Sequence, residues 1–141
     1  IATGERLVTK YEFARVLACG AASILQPALG RVGGILEAKK IAAMAEAHYA
    51  QMAPHLYCGP VEGAANIQLA ACIPNFLVLE SIERFEGFHG EIVKGVRWEE
   101  GYVIPSREPG LGIEFDEALA RAHPYEGSAL HLEMTRDEVV P

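Results

Sequence analysis

The chain has 141 residues and 15.3 kDa, room for one domain with a sizeable core, or for one piece of a domain, and too little for two of ordinary size. Half of its residues are hydrophobic and 22% are charged, the balance of a soluble folded protein rather than a disordered one. With 19 acidic against 12 basic residues the formal charge is -7 and no lysine or arginine cluster occurs, which argues against nucleic acid and anionic membrane as partners.

No apolar run approaches the roughly 18 residues of a membrane span, and no secretory signal pattern is present, so a cytoplasmic location is the expectation. The cysteines, Cys19, Cys58 and Cys72, are odd in number, lack CxxC spacing and read as buried free thiols.

In chain order, "IATGERL" begins in what reads as the last residues of a strand, which implies that something precedes it. In "YEFARVLACG" the residues Phe13, Val16 and Leu17 recur at helical spacing and Gly20 supplies a stop, predicting a helix from Thr9 to Cys19. "ASILQ" is of strand length, giving a strand from Ser23 to Gln26, and "GRVGG" after it reads as a tight turn before a helix. "ILEAKKIAAMAEAH" sets Ile35, Ala38, Ile41, Ala42 and Ala45 on one helical face, with Glu37, Lys40 and Glu46 largely on the other. "AQMA" is a short buried strand ending at Pro54 and His55. Pro60 then fits the first turn of a helix that runs to Cys72, because its missing N–H is not needed there. "NFLVLE" closes the series as a buried strand ending in Glu80.

From Ile1 to Glu80 strands and helices therefore alternate with short connections, which predicts an α/β class with a parallel sheet, its apolar strands covered on both faces. From Ser81 the composition turns to glycine and short aromatic runs. Here the sequence predicts a β-ribbon around Trp98 to Ile104, a loop through Pro109 and a helix from Asp116 to about Ala122, an appendage rather than another βα unit.

Parallel α/β sheets carry their chemistry at the C-terminal ends of the strands, and three of the four ends here hold Glu5, His55 and Glu80. A carboxylate suits a hard cation such as Mg²⁺, an imidazole moves protons near neutral pH, and a second carboxylate can hold a proton or orient a group beside the metal. Singly, His55 reads as a hydrogen-bonded loop histidine and each glutamate as a capping or solvated carboxylate; their coincidence at strand ends argues for a site. His48, His89, His123 and His131 read as structural, and Glu62 as an acid complementing the N-terminal dipole of its own helix rather than touching a substrate. "GRVGG" lacks both the Gly-x-Gly-x-x-Gly spacing and the Lys-Ser/Thr of a phosphate loop.

At these residues the chain resembles the C-terminal half of the mandelate racemase and sugar-acid dehydratase branch of the enolase superfamily, nearest to galactonate and related aldonate dehydratases. The matching stretches are "IATGERL", "ILQPALGRVGGILEAKKIAAMAEAH", "MAPHLYCGPVEGAANIQLAACIPNFLVLE" and "PGLGIEFDE", in family order over nearly the whole chain. The resemblance implies that residues 1–80 are strands five to eight of a (β/α)7β barrel with their helices, and that 81–141 form a C-terminal segment returning to a capping domain. It further implies removal of the proton next to a substrate carboxylate, Mg²⁺ holding the enediolate, and loss of water. On this basis Glu5 of "TGE" is a metal ligand. His55 of "APH" is the acid/base, and Glu80 of "LVLE" lies near the substrate's own carboxylate, so that His55 and Glu80 are the catalytic and substrate-binding pair.

Two departures stand out. The family's "QPD" aspartate, which pairs with the histidine, is replaced in "QPA" by Ala28, and this weakens His55 as a base unless Gln26 offers a hydrogen bond instead. The family's other metal carboxylates and its second base lie upstream of anything in this chain, so 141 residues alone are expected to be inactive, as the C-terminal part of a longer enzyme. The expected function is a Mg²⁺-dependent dehydratase of a small-molecule acid sugar, an aldonate or aldarate, homo-oligomeric when intact. The alternatives are a racemase, epimerase or cycloisomerase on the same scaffold, and a non-catalytic homologue.

Overall fold

The computed structural model describes residues 1–81 and 87–124. Its first half is built on three short parallel strands, β1 (Ala2–Thr3), β2 (Ile24–Leu25) and β3 (Gln51–Met52), hydrogen-bonded in the order β1-β2-β3. Parallel neighbours cannot be joined by a tight turn, and each connection is a helical crossover. Helix α1 (Lys10–Ala18) links β1 to β2; a single turn, α2 (Leu29–Val32), and a longer helix, α3 (Ile35–Ala47), link β2 to β3; α4 (Pro60–Cys72) follows β3.

The helix boundaries follow local chemistry. The carboxylate of Glu12 accepts the N–H groups of Val8 and Thr9, both at 2.8 Å, and so fastens the start of α1. Pro60 occupies the first turn of α4 as expected. The "GRVGG" segment is more than a turn: Leu29–Val32 winds into α2, and Gly33 and Gly34, at φ 98° and 91°, reverse the chain into α3 in a backbone region that glycine enters without steric cost.

The core joins these elements. Phe13 and Leu17 of α1, Leu25 of β2, Leu29 of α2, Ile41 of α3, Met52 of β3 and Leu69 of α4 form one buried cluster. Burying each such side chain stabilises the fold by about 1.5–3 kcal/mol before entropy is charged against it. The inner face of α3 is largely alanine (Ala38, Ala42, Ala45), which lets the helix pack closely on α1, α2, α4 and β3. Ile35, expected on that face, is exposed, because it is the first residue of the helix, next to the Gly33–Gly34 reversal.

The fourth strand is much shorter than expected. Phe76 bridges Met52 in parallel, and Leu77 donates its N–H to the Met52 carbonyl at 2.8 Å, but residues 77–80 have no further ladder. Leu77 and Val78, expected to be buried, are exposed. Both residues of β1 are exposed as well. Each segment has a sheet neighbour on one side only among the described residues, which leaves its other edge open. Asn75 anchors the fourth segment by donating from Nδ2 to the carbonyls of Ala42 and Ala50, both at 3.0 Å.

Beyond residue 86 the predicted ribbon is present as β5 (Arg97–Glu99) against β6 (Tyr102–Ile104), turning through Glu100 and Gly101. The sequence reading missed α5 (Phe88–Ile92) and the antiparallel pairing of β4 (Val93–Lys94) with β7 (Glu114–Phe115). Helix α6 (Glu117–Ala122) begins where expected, with Asp116 accepting the Leu119 N–H at 2.8 Å. His123 bonds the Leu119 carbonyl and packs beside Phe88, and His48 caps the end of α3. His131 lies outside the described residues. The cysteines are not the buried thiols expected: Cys19 and Cys72 fall on helix ends in solvent, and Cys58 is half-buried.

Candidate active site

Pairing continues past the ends of β2 and β3. Ala53 donates to the Leu25 carbonyl at 2.9 Å and His55 to the Pro27 carbonyl at 3.1 Å, so that Ala28 and His55 are register partners at the C-terminal edge of the sheet. Pro27 and Pro54 are fully buried just before them and fix the path of both segments. On β1 the chain leaves through Gly4, at φ 140°. A Cβ there would stand 2.7 Å from Phe13 Cε1 and 3.0 Å from the Gln26 nitrogen, so only glycine allows the close approach that carries Glu5 over the sheet edge.

The three residues named from the sequence converge. His55 Nδ1 lies 2.7 Å from Glu80 Oε2 and 3.6 Å from Glu5 Oε2, with the imidazole 17% exposed and both carboxylates far more open. They share a cavity of about 430 Å³ with Arg6, Ala28, Arg31, Tyr57, Cys58 and Glu62. Gln26 does not serve His55: it lines a different hollow, beside Gly4 and Leu7, and the partner of Nδ1 is Glu80. A second cavity of about 440 Å³, between α4 and the β5–β6 ribbon, is lined by Ile67, Phe76, Leu77 and Trp98 among others, with no carboxylate or imidazole among the described residues that line it.

Glu62 corrects one expectation. Its Oε1 accepts the Gly30 N–H at 2.9 Å, so it serves the start of α2 rather than its own helix. A Cβ at Gly30 would meet Glu62 Oε2 at 2.6 Å, so the glycine makes room for the carboxylate. The sequence signal was there, since Glu62 is the one charged residue within the apolar helix α4. Beside it, burial, and secondarily the negative charge and hydrogen bond of Glu62, push the Cys58 thiol up to about 12, which keeps it protonated at neutral pH.

Mg²⁺ takes near-octahedral oxygen ligands, commonly one or two carboxylates with several waters. Glu5 offers a hard, open oxygen, but it lies 3.6 Å from the Arg6 guanidinium, and the nearest oxygen of Glu80 is bonded to His55. Among the described residues no group of three or more His, Cys, Asp or Glu side chains is placed to hold a metal ion. These residues alone therefore do not fit Mg²⁺ as a closed site, although Glu5 has the chemistry of one ligand.

Residues 1–119 match the enolase C-terminal domain-like family. The chain belongs to that family. Its curated relatives within the enolase superfamily include the D-galactonate dehydratase of Verminephrobacter eiseniae, 42% identical over 132 residues, which cover 84% of this chain and 33% of the relative. The D-gluconate/D-galactonate dehydratase of Picrophilus torridus is 41% identical over 128 residues, covering 90% of this chain and 33% of the relative. The chain thus spans about a third of the length of the curated relatives it matches.

Solved structures agree with this assignment. A mandelate racemase/muconate lactonizing enzyme from Sulfitobacter sp. superposes with TM-score 0.88 at 66% identity, over 94% of this chain and 33% of that one. An enolase from Pantoea ananatis with bound D-gluconate and Mg superposes at 0.83 and 32% identity, over 90% of this chain and 31% of that one. The resemblance to the C-terminal half of a sugar-acid dehydratase of the enolase superfamily therefore holds, with an α/β fold of the enolase C-terminal domain type.

Proposed function

We propose that the polypeptide containing these residues is a cytoplasmic, homo-oligomeric dehydratase of aldonates or aldarates, in which this chain supplies strands five to eight of a barrel and one wall of the active site. The observation that carries the reading is His55 at the C-terminal edge of a parallel sheet, 2.7 Å from Glu80 and 3.6 Å from Glu5, in a family whose curated relatives are sugar-acid dehydratases. His55 is the group that moves a proton to or from the substrate, the role an imidazole fills near neutral pH. Glu80 borders the same cavity, within reach of a bound acid. Glu5 is one ligand of a Mg²⁺ ion whose other ligands come from outside these residues. When bound, such an ion supplies positive charge against the developing negative charge on the substrate carboxylate.

The test is a screen of aldonates and aldarates with Mg²⁺, following release of the 2-keto-3-deoxy product. The unaltered full-length protein is expected to turn over at least one acid, and His55→Asn to lower kcat by about 100-fold or more. If no acid is dehydrated, or if His55→Asn changes nothing, the reading fails.

A second reading has its own support, since the Sulfitobacter structure is more similar in sequence than the dehydratases are and is named for racemisation and lactonisation. Running the reaction in D₂O separates the two. Deuterium in recovered substrate without loss of water signifies racemisation or epimerisation.

A further inference from the structure

We propose that Glu80 is the positioning residue of His55, the carboxylate that fixes the tautomer and orientation of the imidazole in a chain where the neighbouring strand offers only the methyl group of Ala28. The proposal rests on the reading of His55 as the proton-transfer group and adds to it which side chain holds that group in place.

Among the described residues the geometry leaves one side-chain acceptor at hydrogen-bond distance of Nδ1. Ala28 is the register partner of His55 and lines the same cavity, so an acid at that position would face the imidazole, and a methyl group cannot accept a proton. Gln26 faces a different hollow. Glu5 stands 3.6 Å from Nδ1, beyond a good hydrogen bond, with Arg6 beside it. Glu80 Oε2, at 2.7 Å, is at the distance of a charge-assisted bond.

An ionised carboxylate only accepts, so Nδ1 carries the proton and donates it to Glu80, which leaves the lone pair of the neutral ring on Nε2. The segment leading to Glu80 is fastened at Leu77 N–H to the carbonyl of Met52, on the strand that ends in His55. A carboxylate acting this way orients the imidazole and stabilises its charged form without itself taking the proton. Its second oxygen remains available to the cavity. The histidine's anchor thus lies on the segment that follows α4 and not on the strand beside it.

The experiment uses the full-length protein with ¹⁵N-labelled histidine and reads two quantities: the His55 tautomer from long-range ¹H–¹⁵N correlations at one fixed pH, and kcat and KM for exchange of the α-proton of D-gluconate in D₂O. The unaltered protein is expected to show the Nδ1–H tautomer. Glu80→Ala should lose it, with kcat about 10–100-fold lower. Glu80→Gln, which keeps an acceptor oxygen, should retain the tautomer. Ala28→Asp on the Glu80→Ala background should restore the tautomer and recover kcat about tenfold, the behaviour of an anchor supplied from the other side.

Retention of the Nδ1–H tautomer in Glu80→Ala overturns the proposal. So does a folded double variant that recovers neither quantity; should Ala28→Asp prevent folding at its buried position, the Glu80→Ala and Glu80→Gln spectra decide alone. Absence of exchange by the unaltered protein on any sugar acid counts against the functional reading only, because the tautomer comparison still tests the anchor.

Discussion

Cys58 and Glu62 illustrate how neighbours rather than residue type set reactivity at the mouth of this cavity. A thiol held up at about 12 is almost wholly protonated at pH 8, whereas Cys19 and Cys72 stand in solvent. A disulfide reagent at pH 8 is therefore expected to modify two thiols quickly and the third at least about 100-fold more slowly, since only the thiolate attacks. Glu62→Gln removes a negative charge from beside Cys58, lowers its pKa and should speed the slow phase. Equal rates for all three thiols would refute this account. The lack of CxxC spacing argued for free thiols, but no local pattern told which thiol was sheltered. That depended on where the start of α4 meets α2.

At the scale of the element, the helices were largely legible because their periodicity is local. Thr9 to Cys19 was expected and Lys10–Ala18 is helical, flanked by those two residues as caps. The strands were legible as positions in the order and not as lengths, because a strand persists only as far as a neighbour pairs with it. The reading of "NFLVLE" failed for this reason after Phe76. Between elements, Glu37 of α3 binds Lys10 of α1 at 2.7 Å and also pairs with Lys40.

Hydrogen bonds first to Lys10 and then to Lys40 hold the Glu37 carboxyl below its ordinary 4.5. A lowered folded-state value stabilises the fold above pH 4.5, and the contribution disappears as pH falls through the lowered value. Chemical denaturation at a series of pH values should show Glu37→Gln less stable than the unaltered chain at pH 7, with the gap closing as pH falls below 4.5, a modest effect because the groups are partly in water. A gap of constant size over that range would show that the pair contributes nothing through charge.

For the molecule as a whole, the question is how much of a metal site one chain contains. Among the described residues, Glu5 is the only carboxylate at the cavity mouth not already bonded to His55 or to the Gly30 N–H. The 141-residue chain is accordingly expected to bind Mg²⁺ no more tightly than about millimolar, because a single exposed carboxylate gives the ion little beyond its own waters. Titration calorimetry checks this. A dissociation constant in the low micromolar range would mean that these residues complete the site themselves, against the proposal that further ligands come from outside them.

The sequence by itself determined the alternation of strands and helices, the parallel sense of the sheet, and the placement of Glu5 and His55 just past strand ends, since each follows from periodicity, chain connectivity and a rule about where strands finish, whereas Glu80 lies four residues beyond the single bridge at Phe76. Membership in the enolase superfamily was likewise written in contiguous stretches of residues. Only the tertiary structure decided which side chain meets which. Glu80 and not Gln26 reaches His55, Glu62 serves α2 and not α4, and two of three cysteines lie in solvent. The physical reason is separation: His55 and Glu80 are 25 residues apart and Gly30 and Glu62 are 32 apart, and contacts over such distances are fixed by how α4 packs across the sheet.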